Sequence, residues 1–128
     1  MTQFDLASVA EHGLSMGPDP SGQAGHVRMS GTGETDGVEV LRVFLRNLHQ
    51  AALASELSQV VVDLEELKFI NSSCLKAMVA WIYEVDTTGR PYRIRLLRDA
   101  RMHWQKGSLD TLRRLAPEVV EVQESRSR

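Results

Sequence analysis

The stretch Asn71-Ser72-Ser73-Cys74 places four chemically able side chains where a strand-like pattern gives way to a helical one. A helix start carries unpaired backbone N–H groups and the positive end of the helix dipole. A phosphate attached to Ser72 or Ser73 would be held by those amides and favoured by that field. Plain capping explains the same residues, because Asn and Ser satisfy orphan donors at helix starts; taken alone, they favour capping. Cys74 invites a nucleophile reading, since a helix N-terminus lowers a thiol pKa. No histidine lies near it in sequence, and a lone cysteine is often simply a small buried residue. No catalytic residue is therefore assigned.

The other candidates are weaker. Asp63-Leu64-Glu65-Glu66 clusters acids at the end of a strand, and paired carboxylates can do acid–base work; they read here as a solvated loop. His12, His26, His49 and His103 lie far apart without ligand spacing, so no metal site is expected. Gly31-Thr32-Gly33 lacks the lysine of a P-loop and the last glycine of a dinucleotide fingerprint. It reads as a turn, and no cofactor is implied.

These residues need elements to position them. Gln3 to Val9 alternates loosely and predicts a first strand, followed by a loop over the proline- and glycine-rich Ser15 to Gly25. His26 to Ser30 predicts a second strand, broken by Gly31 to Gly37. Leu41, Phe44, Leu45, Leu48 and Ala52 recur at helical spacing, predicting a helix from Val38 to about Ser55 with Asp36 as N-cap and Glu39 as capping-box partner. Val60-Val61-Val62 is a continuous β-branched run, the mark of an interior strand flanked by helices; Phe69-Ile70 is a separate apolar step. Leu75, Met78, Val79 and Ile82 predict a second helix, capped by Asn71 and stopped at Gly89-Arg90-Pro91. Tyr92, Ile94 and Leu96 predict a strand. Asp99 to Leu115 predicts a third helix, interrupted near Gly107-Ser108. Val119 to Val122 predicts a last strand, and Gln123 to Arg128 a frayed tail. Trp81 and Tyr83 read as core or a self-association face, which leaves a homodimer open, and Trp104 as a packing anchor. The order β-β-α-β-α-β-α-β implies a largely parallel sheet with helices packed on it.

A chain of 128 residues is one domain by default. Its single cysteine forms no internal disulfide and fits a reducing compartment. No apolar run approaches the roughly 18 residues of a membrane span, and the first residues do not read as a signal peptide. A cytoplasmic protein with no membrane insertion is expected. The net charge of −2 gives no argument for nucleic acid as a partner. Residues 89–114 nonetheless carry eight basic side chains against Asp99 and Asp110. This asymmetry either steers a charged partner or marks solvated faces, and the latter is the simpler reading.

Val61-Val62-Asp63-Leu64, followed by Phe69-Ile70-Asn71-Ser72-Ser73-Cys74-Leu75, resembles the signature of the STAS domain family, as in bacterial anti-sigma-factor antagonists. Met29-Ser30-Gly31 to Asp36 resembles that family's segment after its second strand. The resemblance implies an α/β, STAS-like fold: a mixed, mostly parallel sheet with helices packed on it, over residues 24–122. Residues 1–23 would add a strand or arm, and residues 123–128 a tail. It implies a non-enzymatic regulatory protein in a partner-switching circuit that controls transcription. Its partners would be a serine kinase of the anti-sigma-factor ATPase type and a serine phosphatase. The serine after the motif's first polar residue would be phosphorylated; by position that is Ser72, with Ser73 beside it. The docking face would include Gly33, Glu34, Thr35, Asp36, Asn71, Ser72, Ser73, Cys74, Leu75 and Lys76. Two positions depart from the family: Asn71 stands where it usually has Asp, and Cys74 where it usually has Gly. A constitutive scaffold that never carries phosphate, and a small enzyme using Cys74 or the acids from Asp63 to Glu66, are the rival readings.

Overall fold

A computed structural model describes residues 4–124. Its strands are β1 (Val9–Glu11), β2 (Leu14–Pro18), β3 (His26–Gly33), β4 (Gln59–Ile70), β5 (Arg93–Arg98) and β6 (Val120–Glu124). Its helices are α1 (Val38–Ala54), α2 (Ser72–Thr87) and α3 (His103–Leu115), with a 3₁₀ turn at Thr35–Gly37 before α1. The six strands form one sheet in chain order. β1, β2 and β3 pair antiparallel, and β3 to β6 pair parallel. Each parallel step needs a crossover, and a helix supplies it. Right-handed crossovers in a sheet that grows in one direction place all three helices on one face. The aligned residues Val27, Val62 and Leu96 face that layer and join one hydrophobic core with Phe44, Leu48, Met78, Ile82 and Leu109. The α/β architecture, mixed and mostly parallel, is the one expected.

Several local expectations are corrected. Residues 4–8 form no strand: Leu6 is buried in the core and Phe4 packs against it, so their apolar side chains anchor the segment instead of alternating across a sheet. Residue 3 lies outside the described residues. The first strand is Val9–Glu11, and Leu14–Pro18 is a second, so the start of the expected loop over Ser15 to Gly25 is strand. Leu14 and Met16 face the core, and Pro18 is tolerated because it ends the strand. The two strands meet at His12-Gly13, both at positive φ, as a two-residue type I′ hairpin requires. β3 runs on through Gly31-Thr32-Gly33, which is strand and not turn. Gly31 is required there: its φ is +98°, and a Cβ would overlap the Gly13 carbonyl. The N-cap of α1 is Gly37 without a side-chain cap, not Asp36, because the 3₁₀ turn already leads the chain into the helix. α3 begins at His103 and passes through Gly107 unbroken. Of the expected frayed tail, Gln123 and Glu124 close β6, and residues 125–128 lie outside the described residues.

β4 is a single strand of 12 residues, joining Val60–Leu64 to Phe69-Ile70. Asp63 to Glu66 are therefore strand residues, not a solvated loop. The valine run is buried on both sides, but not between two helical layers. Val60 and Val62 face the helices; Val61 faces the other side, between His26 and Arg95. Asp63, only 8% exposed, lies between Arg28 and Leu97 there, with Arg28 Nε 3.6 Å from its carboxylate. On this face Arg28 and Arg95, beside these positions in the register, are each only partly exposed. The basic run of residues 89–114 is largely paired on and near it: Arg93 and Arg95 share Glu121, Arg98 meets Glu124, and Arg101 meets Asp99.

Two buried polar nodes tie the layers together. Trp81 Nε1 donates to Tyr92 Oη at 3.1 Å, and Tyr92 Oη also shares a hydrogen bond with His49 Nδ1, 2.8 Å away. This links α2, the start of β5 and α1. Gln105, fully buried on α3, donates from Nε2 to the carbonyls of Leu64 (2.7 Å) and Leu67 (3.1 Å) and accepts from the Asp99 N–H (3.0 Å). It replaces the neighbour that β4 loses beyond Asp63, where β5 pairing stops. Replacing Gln105 with Leu keeps the volume but orphans two carbonyls and an N–H. Urea unfolding is expected to show a loss of about 2–4 kcal/mol; a loss under about 0.5 kcal/mol would remove Gln105 from this role.

Candidate functional site

The C-terminal ends of β3 and β4 lie side by side, with Gly33 paired to Ile70. From Gly33 the chain enters the 3₁₀ turn and α1; from Ile70 it enters Asn71 and α2. Both helix starts are thus brought to one rim. Asn71 stitches it: its N–H donates to the Gly33 carbonyl (2.9 Å), its Oδ1 accepts from the Cys74 N–H (2.9 Å), and its Nδ2 donates to Thr35 Oγ1 (3.3 Å). The hairpin tip joins the same rim, with His12 Nδ1 3.5 Å from Asp36 Oδ2.

The expected docking residues divide into a surface and a support. Glu34, Thr35, Asp36, Ser72 and Lys76 are exposed, and Asn71, Ser73 and Leu75 are half-buried. Gly33 and Cys74 are buried and lie beneath. A Cβ on Gly33 would meet Ile70 Cγ2 at 3.0 Å and Cys74 Sγ at 3.1 Å, so the bare glycine makes room for the thiol. Cys74 points its Sγ at the Glu34 carbonyl, 3.5 Å away. It does not protrude toward a partner.

Capping is done by Asn71. The hydroxyls of Ser72 and Ser73 have no hydrogen-bond partner among the described residues. The capping explanation therefore accounts for the asparagine and not for the serines.

The enzymatic elements do not converge. Cys74 is inaccessible, and burial pushes its thiol up, against the lowering by the Asn71 cap; the negative charge of Asp36 adds to the rise. Asp63 sits on the uncovered sheet face, where burial raises its carboxyl above the usual range. His12 is at the hairpin tip, His26 opens β3, His49 is in the core and His103 opens α3. Among the described residues, no group of three or more His, Cys, Asp and Glu side chains could hold a metal ion. A cavity of about 520 Å³ lies at the opposite end of the helices, lined by Leu53, Leu57, Thr88 and Pro91.

One surface residue escaped the sequence reading. Phe69, two residues before Asn71, is 46% exposed, although it was grouped with the core residue Ile70 as one apolar step. Its signal was spacing: Leu67 and Ile70 are both buried, so the strand's irregular register turns Phe69 outward. Trp81 is core, whereas Tyr83 is 50% exposed on α2. No helix among the described residues is long and apolar enough to cross a membrane.

No family model matches the chain, and no curated protein matches its sequence. Among solved structures, it is similar to a chain in the crystal structure of the diguanylate cyclase SiaD in complex with its activator SiaC from Pseudomonas aeruginosa. The TM-score is 0.66 at 18% identity, covering 93% of this chain and 99% of that one. It is also similar to the structure of the anti-sigma factor antagonist SpoIIAA in its unphosphorylated form, with a TM-score of 0.48 at 16% identity, covering 83% and 84%. The first comparison shows a shared fold over nearly the whole length of both chains.

Two measurements check this geometry. Asn71→Ala removes the cap and is expected to cost about 1 kcal/mol in urea unfolding; no change would show that the cap is idle. Native Cys74 is expected to react with iodoacetamide at neutral pH far more slowly than a free thiol, and to recover ordinary reactivity in denaturant. Fast native labelling would reopen the nucleophile reading.

Proposed function

We propose that this chain is a regulatory protein-binding module, docking through the rim around Ser72 and switched by phosphorylation of that serine. The observation that carries the reading is the division of labour at the helix start. Asn71 satisfies the cap, while Ser72 stands exposed at the first helical position with its hydroxyl unengaged. A phosphoryl group there adds about −1.5 to −2 charges to the rim. It would sit at the positive end of a 16-residue helix, near the acids Glu34 and Asp36. A partner fitted to the unmodified rim would meet a changed charge and shape.

The likeness of fold to a chain from a complex of an enzyme with its activator supports a binding role. The docking face comprises Glu34, Thr35, Asp36, Asn71, Ser72, Ser73, Leu75 and Lys76, with Phe69 as an aromatic anchor of the kind that carries binding energy. Gly33 and Cys74 support it from beneath. The expected partners are a serine kinase of the anti-sigma-factor ATPase type and a phosphatase that reverses it. Such a switch belongs in a bacterial cytoplasm. The reading assigns the chain no enzymatic activity of its own.

Mass spectrometry on the protein from its own cell, with the cognate kinase present, is expected to find phosphate on Ser72. Calorimetry with the partner is expected to show Ser72→Asp weakening affinity by about tenfold or more. Persistent absence of phosphate together with unchanged affinity would leave a constitutive scaffold in place of the switch.

A further inference from the structure

α1 and α2 start at the same rim and run in the same direction, because both follow parallel strands. Between them lies a groove of about 280 Å³. Its floor is Ala77, Ala80 and the edge of Trp81; its α1 wall carries Arg42 and Arg46, and Glu84 closes the end away from the rim. Ala80 is exposed on this floor, while Ala77 and Trp81 are nearly covered.

The charges are unevenly satisfied. Arg46 has no carboxylate within ion-pair distance among the described residues. Arg42 has only Glu39, at 3.9 Å, and both side chains are more than half exposed. Two arginines one helical turn apart sit about 5–6 Å from one another at Cβ, a spacing that carboxylates one turn apart on another helix reproduce. Glu84 gives the groove a direction: positive nearer the rim, negative farther away. The floor is apolar and the cations are few, Arg46 without an ion pair among the described residues and Arg42 loosely held by Glu39, which suits an amphipathic helix better than a polyanion.

We infer that this groove docks an acidic amphipathic helix of a protein partner. Its carboxylates one turn apart engage Arg42 and Arg46, a small apolar side chain rests on Ala77 and Ala80 beside Trp81, and a neutral or basic residue faces Glu84. The inference rests on the binding-module reading and extends it: Ala77 lies one turn below Ser73, so a partner held at the rim reaches the groove along α2. The rim acts as the switched contact and the groove as a second, unswitched one.

The test pans a displayed library of short helical segments on the intact chain. Enriched segments are then measured as labelled peptides by fluorescence anisotropy and mapped by amide chemical shifts. Enriched segments are expected to carry an acidic pair at i and i+4 and to shift residues 42–46 and 77–84. Arg42→Glu with Arg46→Glu is expected to weaken them by about tenfold or more, and lysines in place of the peptide acids to restore binding to that variant. Both arginines are exposed, so the variant is expected to unfold with the wild type in urea. No enrichment, segments without the acidic pair, shifts elsewhere, or equal binding to the charge-reversed variant each overturn the inference. Ser72→Asp is measured in parallel against the partner: if it weakens the partner while the groove variant does nothing, the groove fails and the rim reading stands.

Discussion

The architecture of the rim depends on one residue that makes three hydrogen bonds. The Asn71 peptide N–H holds the end of β4 to the end of β3 through the Gly33 carbonyl. Its side-chain oxygen satisfies one of the orphan donors of α2, and its side-chain amide reaches across to Thr35 in the turn before α1. The side-chain amide donates to the Thr35 hydroxyl, where a carboxylate would have to accept from it, so the cross-link between the two helix starts is made here without adding a negative charge to the rim. With the Cys74 N–H capped by Asn71, the hydroxyls of the exposed Ser72 and the half-buried Ser73 are left unengaged among the described residues.

The cysteine at position 74 is accommodated in the same place. A thiol at position 74 occupies space that a glycine would leave open. That space exists because Gly33, directly opposite, has no Cβ to fill it. The pair Gly33–Cys74 is a packing unit under the rim, with the sulfur near the Glu34 carbonyl. Burial decides the chemistry of the cysteine: the field of the helix start favours a thiolate, but loss of solvation opposes it more strongly. What looks like a reactive position in sequence is a structural one in space.

Much of this was legible in the residues. The helical spacing of Leu41 to Ala52 and of Leu75 to Ile82, the valine run and the Asn71 cap all appear where their periodicity placed them. The misses share a cause: local signals were overridden by pairing partners distant in sequence. His12-Gly13 lacks the Asn-Gly signature of a tight hairpin, and β2 is specified by its pairing with β3, Met16 opposite Met29, more than by its own residues. Gly31 to Gly33 reads as a break only if one ignores that the hairpin tip leans against it. The length of β4 was hidden because Gln105, from 38 residues away or more, supplies the hydrogen bonds that a neighbouring strand would have supplied. The uncovered sheet face was hidden for a related reason: Val61 is buried without a helical layer over it, between His26 and Arg95 in the register, and a continuous apolar run does not say what covers it.

Topology also decides which side chains can meet. Three parallel crossovers in one direction stack the helices on a single side and gather the starts of α1 and α2 at one rim. The charged and nucleophilic groups that could have met in an active site are separated by that arrangement, with Asp63 on the far face of the sheet and Cys74 under the rim. What the rim presents instead is two serine hydroxyls and a lysine one turn later, all with unspent hydrogen-bonding capacity, and beside them an exposed apolar ring, Phe69, at the end of the strand. The polar groups cost little to leave in water, whereas the ring leaves apolar surface uncovered. The fold thus satisfies its internal polar groups with internal partners, as Gln105 and Asn71 do, and leaves the unengaged ones at its edge.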